Sequence, residues 1–445
     1  MKQNKRFLGM VCNLAVPVAL QSMLQASFSI VDQIMIGQLG SVAVAGVGLA
    51  GKFSSIYSVL VSAIGAVAGI MLSQYMGQEN RNEVRRSFRI NFLLALGLAG
   101  VFTVLCIAFP NQIMELYTTD SETRQVAREY LFLIAGTYFM IAGATMLSVM
   151  FRCMEKAALP LVASIVAACM NTVLNYVLIF GKFGFAEMGA KGAAIATVIS
   201  QVTNLLIMAV LFVRHKACSA IDKKDVEIPP FLWKQYGEML FPILICELAW
   251  SLGENVYAII YGRLGTDACA AMTLINPVQS LMIGALCGLA QAAGIIIGKR
   301  LGNREYNEAY DAAKKLIWYG LAGSAILSVV IILTSSLYVN IYQVEETVKI
   351  LTKQILFAYA LVAPFKVLNM ILGGGIIRSG GKTKYVMAID MIGTWIFGVP
   401  LGLWSAFVLK LSIPYVYFIL SLEECVRFAI SVCVLRKKSW MQSLE

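Results

Sequence analysis

Residues 91–109 read NFLLALGLAGVFTVLCIAF, an apolar run with no charge along it. Coiled as a helix at 1.5 Å per residue, such a run crosses a bilayer core of roughly 30 Å. Comparable runs lie at Ala158–Gly181, Leu316–Leu337 and Met391–Leu409. A helix suits them because it satisfies its own backbone hydrogen bonds where no water can. A transmembrane barrel would need segments of about ten residues with alternating polarity, and the runs do not alternate. The whole chain agrees: 59% hydrophobic, 14% charged, with a mean hydropathy of +0.76. Soluble domains carry about a quarter charged residues, so water is not the solvent for most of this surface. The sequence is that of an all-α integral membrane protein.

About twelve transmembrane helices are expected, at 10–36, 45–75, 90–110, 129–152, 158–181, 190–213, 238–262, 270–298, 316–337, 352–378, 384–409 and 412–435. With the N-terminus inside, the connectors facing the cytoplasm hold 25 of the 36 Lys and Arg, and the outer loops hold eight. That bias follows the positive-inside rule and places both termini in the cytoplasm, in a multi-pass protein of the cell (plasma) membrane. Lys2, Lys5 and Arg6 precede an uncleaved first span. The net charge of +11 is spread over short connectors, which excludes a nucleic-acid partner as its cause. The ten cysteines are scattered and show no metal or disulfide spacing.

The chain also repeats itself. Shifted by 225 residues, Val31-Asp32-Gln33-Ile34-Met35-Ile36-Gly37-Gln38-Leu39-Gly40 lies over Val256-Tyr257-Ala258-Ile259-Ile260-Tyr261-Gly262-Arg263-Leu264-Gly265. At the same shift Pro17 meets Pro242, Gly77 meets Gly302 and Glu83 meets Glu308; at 226, Arg152 and Lys156 meet Arg378 and Lys382. Each repeat holds six spans, and an even number gives both the same orientation, related by a pseudo-twofold axis along the membrane normal. The expected division is an N-terminal lobe 1–214, a cytoplasmic connector 215–237 carrying Lys223, Lys224 and Pro229-Pro230, and a C-terminal lobe 238–445. Two parallel six-helix repeats suit a transporter working by alternating access.

Four stretches point further. These are Val31-Asp32 with Met35-Ile36-Gly37-Gln38-Leu39-Gly40, Ser73-Gln74 with Gly77, the small-residue run Gly189–Thr197, and Leu372-Gly373-Gly374-Gly375-Ile376-Ile377-Arg378. In that order, with twelve spans and the duplication, the chain resembles the multidrug and toxic compound extrusion (MATE) family of cation-coupled exporters. The resemblance implies export of bulky, often cationic or amphipathic compounds, driven by entry of protons or sodium. A lipid or glycolipid flippase of the same superfamily is the alternative.

Ionisable groups inside spans are costly and mark function or pairing. Asp32 falls in the outer half of the first span, Asn171 and Asn175 share a face of the fifth, and Thr197 reaches similar depth on the sixth. Carboxylate, amide and hydroxyl oxygens suit a hard cation, and the carboxylate can equally bind a proton. The resemblance makes these four positions the cation-coupling site, open to sodium or a proton. Asn175 replaces a second Asp of some members, which favours the proton. In the C-terminal half, Glu247 and Glu254 lie two turns apart on the seventh span, with Lys366 on the tenth and Asp390 entering the eleventh. They are the candidate substrate-binding residues, with a fixed Glu–Lys pair as the rival reading. Glu423 and Arg427 at i, i+4 read as a structural pair. Pro364 and glycines 373–375 suggest that the tenth span can bend.

Gly380-Gly381-Lys382-Thr383 resembles the tail of a phosphate loop, but Ile376 stands where that loop needs glycine, so no nucleotide is expected. The only histidine is His215, in the connector, and no nucleophile–base set lies within the spans. The chain is expected to be no enzyme, to need no cofactor beyond the coupling ion, and to act as a monomer.

Overall fold

The structure, a computed structural model, describes residues 2–215, 229–342 and 344–444. Its helices are α1 (Lys2–Gly37), α2 (Ser41–Gly77), α3 (Arg81–Ala108), α4 (Pro110–Glu115), α5 (Ser121–Ile134), α6 (Thr137–Cys153), α7 (Ala158–Ile179) and α8 (Gly189–Arg214). The second half gives α9 (Pro230–Arg263), α10 (Thr266–Gly302), α11 (Tyr306–Asn340), α12 (Glu346–Asn369), α13 (Thr383–Met391), α14 (Val399–Leu403), α15 (Ile413–Ser421) and α16 (Glu423–Lys437). Each expected span falls on helix. Among the described residues ten spans are long and apolar enough to cross a membrane; α5 and α6, bent by 50°, make an eleventh. The short helices α15 and α16, meeting at Leu422, occupy the place of the twelfth. Of the expected connector 215–237, residues 216–228, with Lys223 and Lys224, lie outside the described residues.

The helices run beyond the apolar windows because polar residues cap them in water. The Asn80 side chain accepts from the backbone N–H of Glu83 at 3.3 Å to start α3, and Asp120 accepts from Thr123 at 2.9 Å to start α5. The duplication extends to these boundaries. A shift of 225 carries α2 onto α10 end for end and the start of α3 onto that of α11. It also carries left-handed turn residues onto one another: Gly40 (φ 92°) onto Gly265 (φ 120°), and Glu79 (φ 55°) onto Arg304 (φ 61°).

Two compact units emerge. One contains Met1–Ala19, Ser73–Glu79 and Pro230–Glu445; the other contains Leu20–Leu72 and Asn80–Pro229. The first half of α1 and the end of α2 thus group with the C-terminal segment.

In the first unit the end of α2 crosses the end of α10 at contact distance. A Cβ on Gly77 would run into the carbonyl of Lys299, and one on Gly302 into the carbonyl of Gln74. Gln74 and Lys299 are themselves repeat equivalents, so the crossing mirrors itself. Small residues at four-residue spacing, Ser73/Gly77 and Gly298/Gly302, allow the approach. Beside it lies the segment after α16. Trp440 is fully buried and donates to Leu435 O at 3.3 Å. Gln78 donates to Leu444 O at 2.6 Å, and the Leu444 N–H donates to Gln74 Oε1 at 2.7 Å.

The tenth and eleventh spans are not uniform α-helix. Met370–Ile377, Ile392–Gly398 and Trp404–Val408 are wound with i→i+5 hydrogen bonds. Gly375 lies against the Ala290 carbonyl within the first of these, and Pro400, which lacks an N–H, follows the second.

In the second unit Tyr57, Phe102 and Tyr138 form an aromatic cluster, with the Tyr57 hydroxyl donating to Tyr138 O at 2.7 Å. Helices α7 and α8 pack through small residues. A Cβ on Gly192 would meet the Leu178 carbonyl at 2.7 Å, and Ala196 is fully buried beside Val177 and Leu178.

Candidate functional site

That close packing of α7 on α8 sets up the polar group of the second unit. Asn171 and Asn175, one turn apart on α7, face the same way as Thr197 and Ser200 on α8. Asn175 is buried and donates to Asp32 Oδ1 at 2.8 Å and to Asn171 Oδ1 at 3.2 Å. The Asn171 amide finds more partners when turned over, with its nitrogen then 3.0 and 3.1 Å from the two Asp32 oxygens. In the other orientation it donates to Ser200 Oγ at 3.4 Å, and Ser200 donates to Thr197 O at 2.9 Å. Thr197 bonds Ala193 O at 2.9 Å and shares a side-chain hydrogen bond with Tyr130 of α5. The structure therefore brings Asp32, Asn171 and Asn175 into direct contact and places Thr197 next to them through Ser200. The Asn175 Oδ1 is buried with no hydrogen-bond partner.

An amide can offer either end. With nitrogens inward, two asparagines satisfy a charged carboxylate. With oxygens inward, the same two residues add acceptors to it and form a shell for a small cation or for the hydrogen of a neutral carboxyl. Tyr130 and Ser200 were not legible: each is one polar residue at a span edge or among several hydroxyls, with no spacing to single it out.

The four C-terminal candidates separate in the structure. Glu254 and Lys366 line one cavity of about 330 Å³ in the first unit, together with Glu423 and Glu424. Tyr257, Tyr261, Tyr359 and Tyr417 wall it. Glu247 instead faces Arg378 at 3.9 Å. Asp390 does not line the cavity either. It accepts from Cys246 Sγ at 2.6 Å and lies 3.7 Å from Arg427. Arg427 proves to be a hub. It lies 3.8 Å from Glu423 and 4.0 Å from Glu424, and it donates to Thr394 Oγ1. Glu423 also accepts from Tyr257 at 2.6 Å, and Glu424 from Asn369 at 2.8 Å.

The i, i+4 spacing of Glu423 and Arg427 encodes their pairing but not the extent of the cluster. Three acids share one arginine, and Glu423 and Glu424 also form part of the cavity wall. The signal was present in Glu424, a second acid adjacent to the first inside an apolar span. What decides which acids meet Arg427 is the three-dimensional meeting of α13, α16 and the segment holding Thr394, which no spacing along the chain encodes.

Comparison with known proteins follows the same lines. A family model described as MatE matches residues 17–177 and 242–404, one match in each repeat. A "Probable multidrug resistance protein NorM" of Thermotoga maritima is 25% identical over 395 residues, covering 87% of this chain and 83% of the relative. Another from Rhizobium meliloti is 26% identical, covering 90% and 89%. "Uncharacterized transporter YisQ" of Bacillus subtilis is 21% identical, covering 96% and 93%. Among solved structures, "Crystal structure of MATE in complex with MaL6" superposes with a TM-score of 0.89 at 18% identity, covering 97% of this chain and 96% of that one. A MOP superfamily transporter from Pyrococcus furiosus gives 0.87 at 19% identity, with coverage of 97% and 96%. At such identities the structural likeness is one of fold. The family model, matching in both repeats over most of the chain, decides the matter: this chain belongs to the MatE family, the MATE transporters.

Proposed function

We propose that the chain is an antiporter that exports bulky organic, often cationic, compounds by alternating access, driven by entry of a cation, and of a proton in preference to sodium. The observation that carries the coupling is the contact of Asp32 with the Asn175 amide at 2.8 Å, beside an unpartnered buried amide oxygen. A lone carboxylate served by neutral amides changes its net charge by one when it takes a proton. Sodium would need a fuller oxygen shell, for which Asn171, Asn175 and Thr197 are the donors at hand. The multidrug resistance names of several relatives support export as the direction.

The substrate's half of the reading rests on the cavity of the first unit. Three carboxylates and four tyrosine rings suit a flat or bulky cation, since the acids supply charge and the ring faces supply cation–π attraction. Lys366 is the internal cation that a substrate would displace from those acids. In this reading the termini face the cytoplasm of the cell, the protein sits in the plasma membrane as a monomer, and no cofactor takes part.

Ethidium efflux from proteoliposomes, with a pH gradient or a sodium gradient imposed separately, tests it. Efflux under the pH gradient, abolished in Asp32→Asn, is the expected result. Folded protein that moves no dye under either gradient would sink the proposal.

A further inference from the structure

At one end of the first unit, the start of α1, the end of α10, the start of α11 and the residue after α16 converge. The guanidinium of Arg300 sits 5.5 Å from the Phe7 ring centre and the Lys315 ammonium 5.4 Å from the same ring. The ammonium groups of Lys314 and Lys438 lie 4.5 and 4.8 Å from the ring of Tyr310. Two rings thus gather four cations. Asp311 lies 3.3 Å from Lys314, and Arg300 donates to the Glu308 backbone carbonyl at 2.6 Å.

The position of the cluster identifies its partner. Helix α11 has 35 residues, so it is about 50 Å long and outruns a hydrocarbon core of roughly 30 Å. Its exposed stripe carries Trp318, Ile326, Leu333 and Leu337, which are 65–73% exposed, an apolar surface suited to lipid. Traced back toward the N-terminus, the same stripe runs through Lys314 to Tyr310. Trp318 is an aromatic residue of the kind that sits at the membrane–water boundary, and the cations begin one turn beyond it. They therefore lie at headgroup depth, directly in line with the apolar track that acyl chains would follow.

We propose that this corner is a binding site for an anionic phospholipid, whose headgroup phosphate is held by Arg300, Lys314, Lys315 and Lys438 and whose chains lie along the α11 stripe. Phe7 and Tyr310 each hold two of these cations over their rings. Because the cluster draws on the first turns of α1 and the residue after α16, a bound lipid ties the two chain ends of the unit together.

The test uses the full chain purified in detergent, with native mass spectrometry and thermal unfolding. Phosphatidylglycerol should be retained in preference to phosphatidylcholine and should raise the unfolding midpoint. Each cation removed should weaken that preference about five-fold. The variant Lys314→Gln/Lys315→Gln/Lys438→Gln should unfold at the wild-type midpoint without lipid and show no preference. Lys314→Arg/Lys315→Arg, which keeps the charges, should retain it. If the triple variant does not fold, loss of the wild-type preference on raising the salt concentration carries the same information. Equal retention of phosphatidylcholine, or an undiminished preference in the triple variant, overturns the proposal. A midpoint shift reproduced in full by inorganic phosphate would assign the cluster to a free anion instead, and overturns the lipid site as well. None of these readouts depends on transport, so failure here is separable from failure of the antiport reading.

Discussion

The amide nitrogen of Asn175 lies 2.8 Å from a carboxylate oxygen of Asp32, while the oxygen of the same amide is buried without a partner. A group so placed answers to the charge of Asp32. Asn175→Leu removes the donor and leaves the carboxylate short of one hydrogen bond, at a cost of about 1–3 kcal/mol in the charged form. Proton loading of Asp32 in that variant should occur from a less acidic outer medium than in the wild type, read as an alkaline shift in the pH dependence of dye efflux. Asn175→Asp supplies a second negative charge, and sodium-driven efflux should rise relative to proton-driven efflux in the same vesicles.

Arg427 lies within 4.0 Å of Glu423, Glu424 and Asp390 alike. Arg427→Met leaves three carboxylates without their partner. Removing one member of a buried ion pair costs about 3–5 kcal/mol, so the unfolding midpoint should fall by many degrees. Adding Glu423→Gln to that variant should recover part of the loss. Two independent costs would instead sum.

Glu254 and Glu247 should part company under the same substitution. Glu254→Gln removes a charge from the cavity wall and should raise the KM for an organic cation roughly ten-fold, the loss of one charge-assisted contact. Glu247→Gln faces Arg378, away from the cavity, and should leave that KM unchanged. Concentration dependence of ethidium efflux measures both.

Gly77 and Gly302 each press on a carbonyl of the opposite helix, Lys299 and Gln74 respectively. Gly77→Val or Gly302→Val forces α2 and α10 apart and should destabilise the protein by about 1–3 kcal/mol. The double variant should cost less than the two single costs added, since one separation relieves both clashes.

Trp440 is fully buried, and its carbonyl leaves no room for a Cβ on Gly380. Trp440→Ala should cost about 3–5 kcal/mol, a loss measurable as a lower unfolding midpoint. Proteolysis between Lys438 and Leu444 should be slow in the wild type and fast in that variant.

Most of the fold could be read from the chain because a bilayer imposes one length and one polarity on every span. The duplication gave the pairing of halves, and the structure repeats it in the ends of α2 and α10 and in the turn residues Gly40 and Gly265. The contact of Asp32 with Asn171 and Asn175 joins residues on two helices that the family resemblance groups. The C-terminal site was legible only in its members. Glu247 and Glu254 lie two turns apart on one span, and a position along the chain does not say how each of the other helices is turned about its own axis. On α9 the two-turn separation puts Glu254 at the cavity and Glu247 at Arg378, while the turning of α13 sends Asp390 to Arg427. Such turning is altered further in the tenth and eleventh spans, where the winding departs from 3.6 residues per turn.

The i→i+5 segment Met370–Ile377 amounts to one residue more than an α-helix of the same span would hold. Remove one of the glycines 373–375 and the α-helical ladder closes, with every residue beyond it rotated by about 100° about the helix axis. Arg378 would then swing off Glu247, and the turn at Gly380 would leave its seat under Trp440. In this stretch a one-residue deletion shortens the chain by almost nothing. Its effect is to turn one part of the protein against another, as a key turns in a lock.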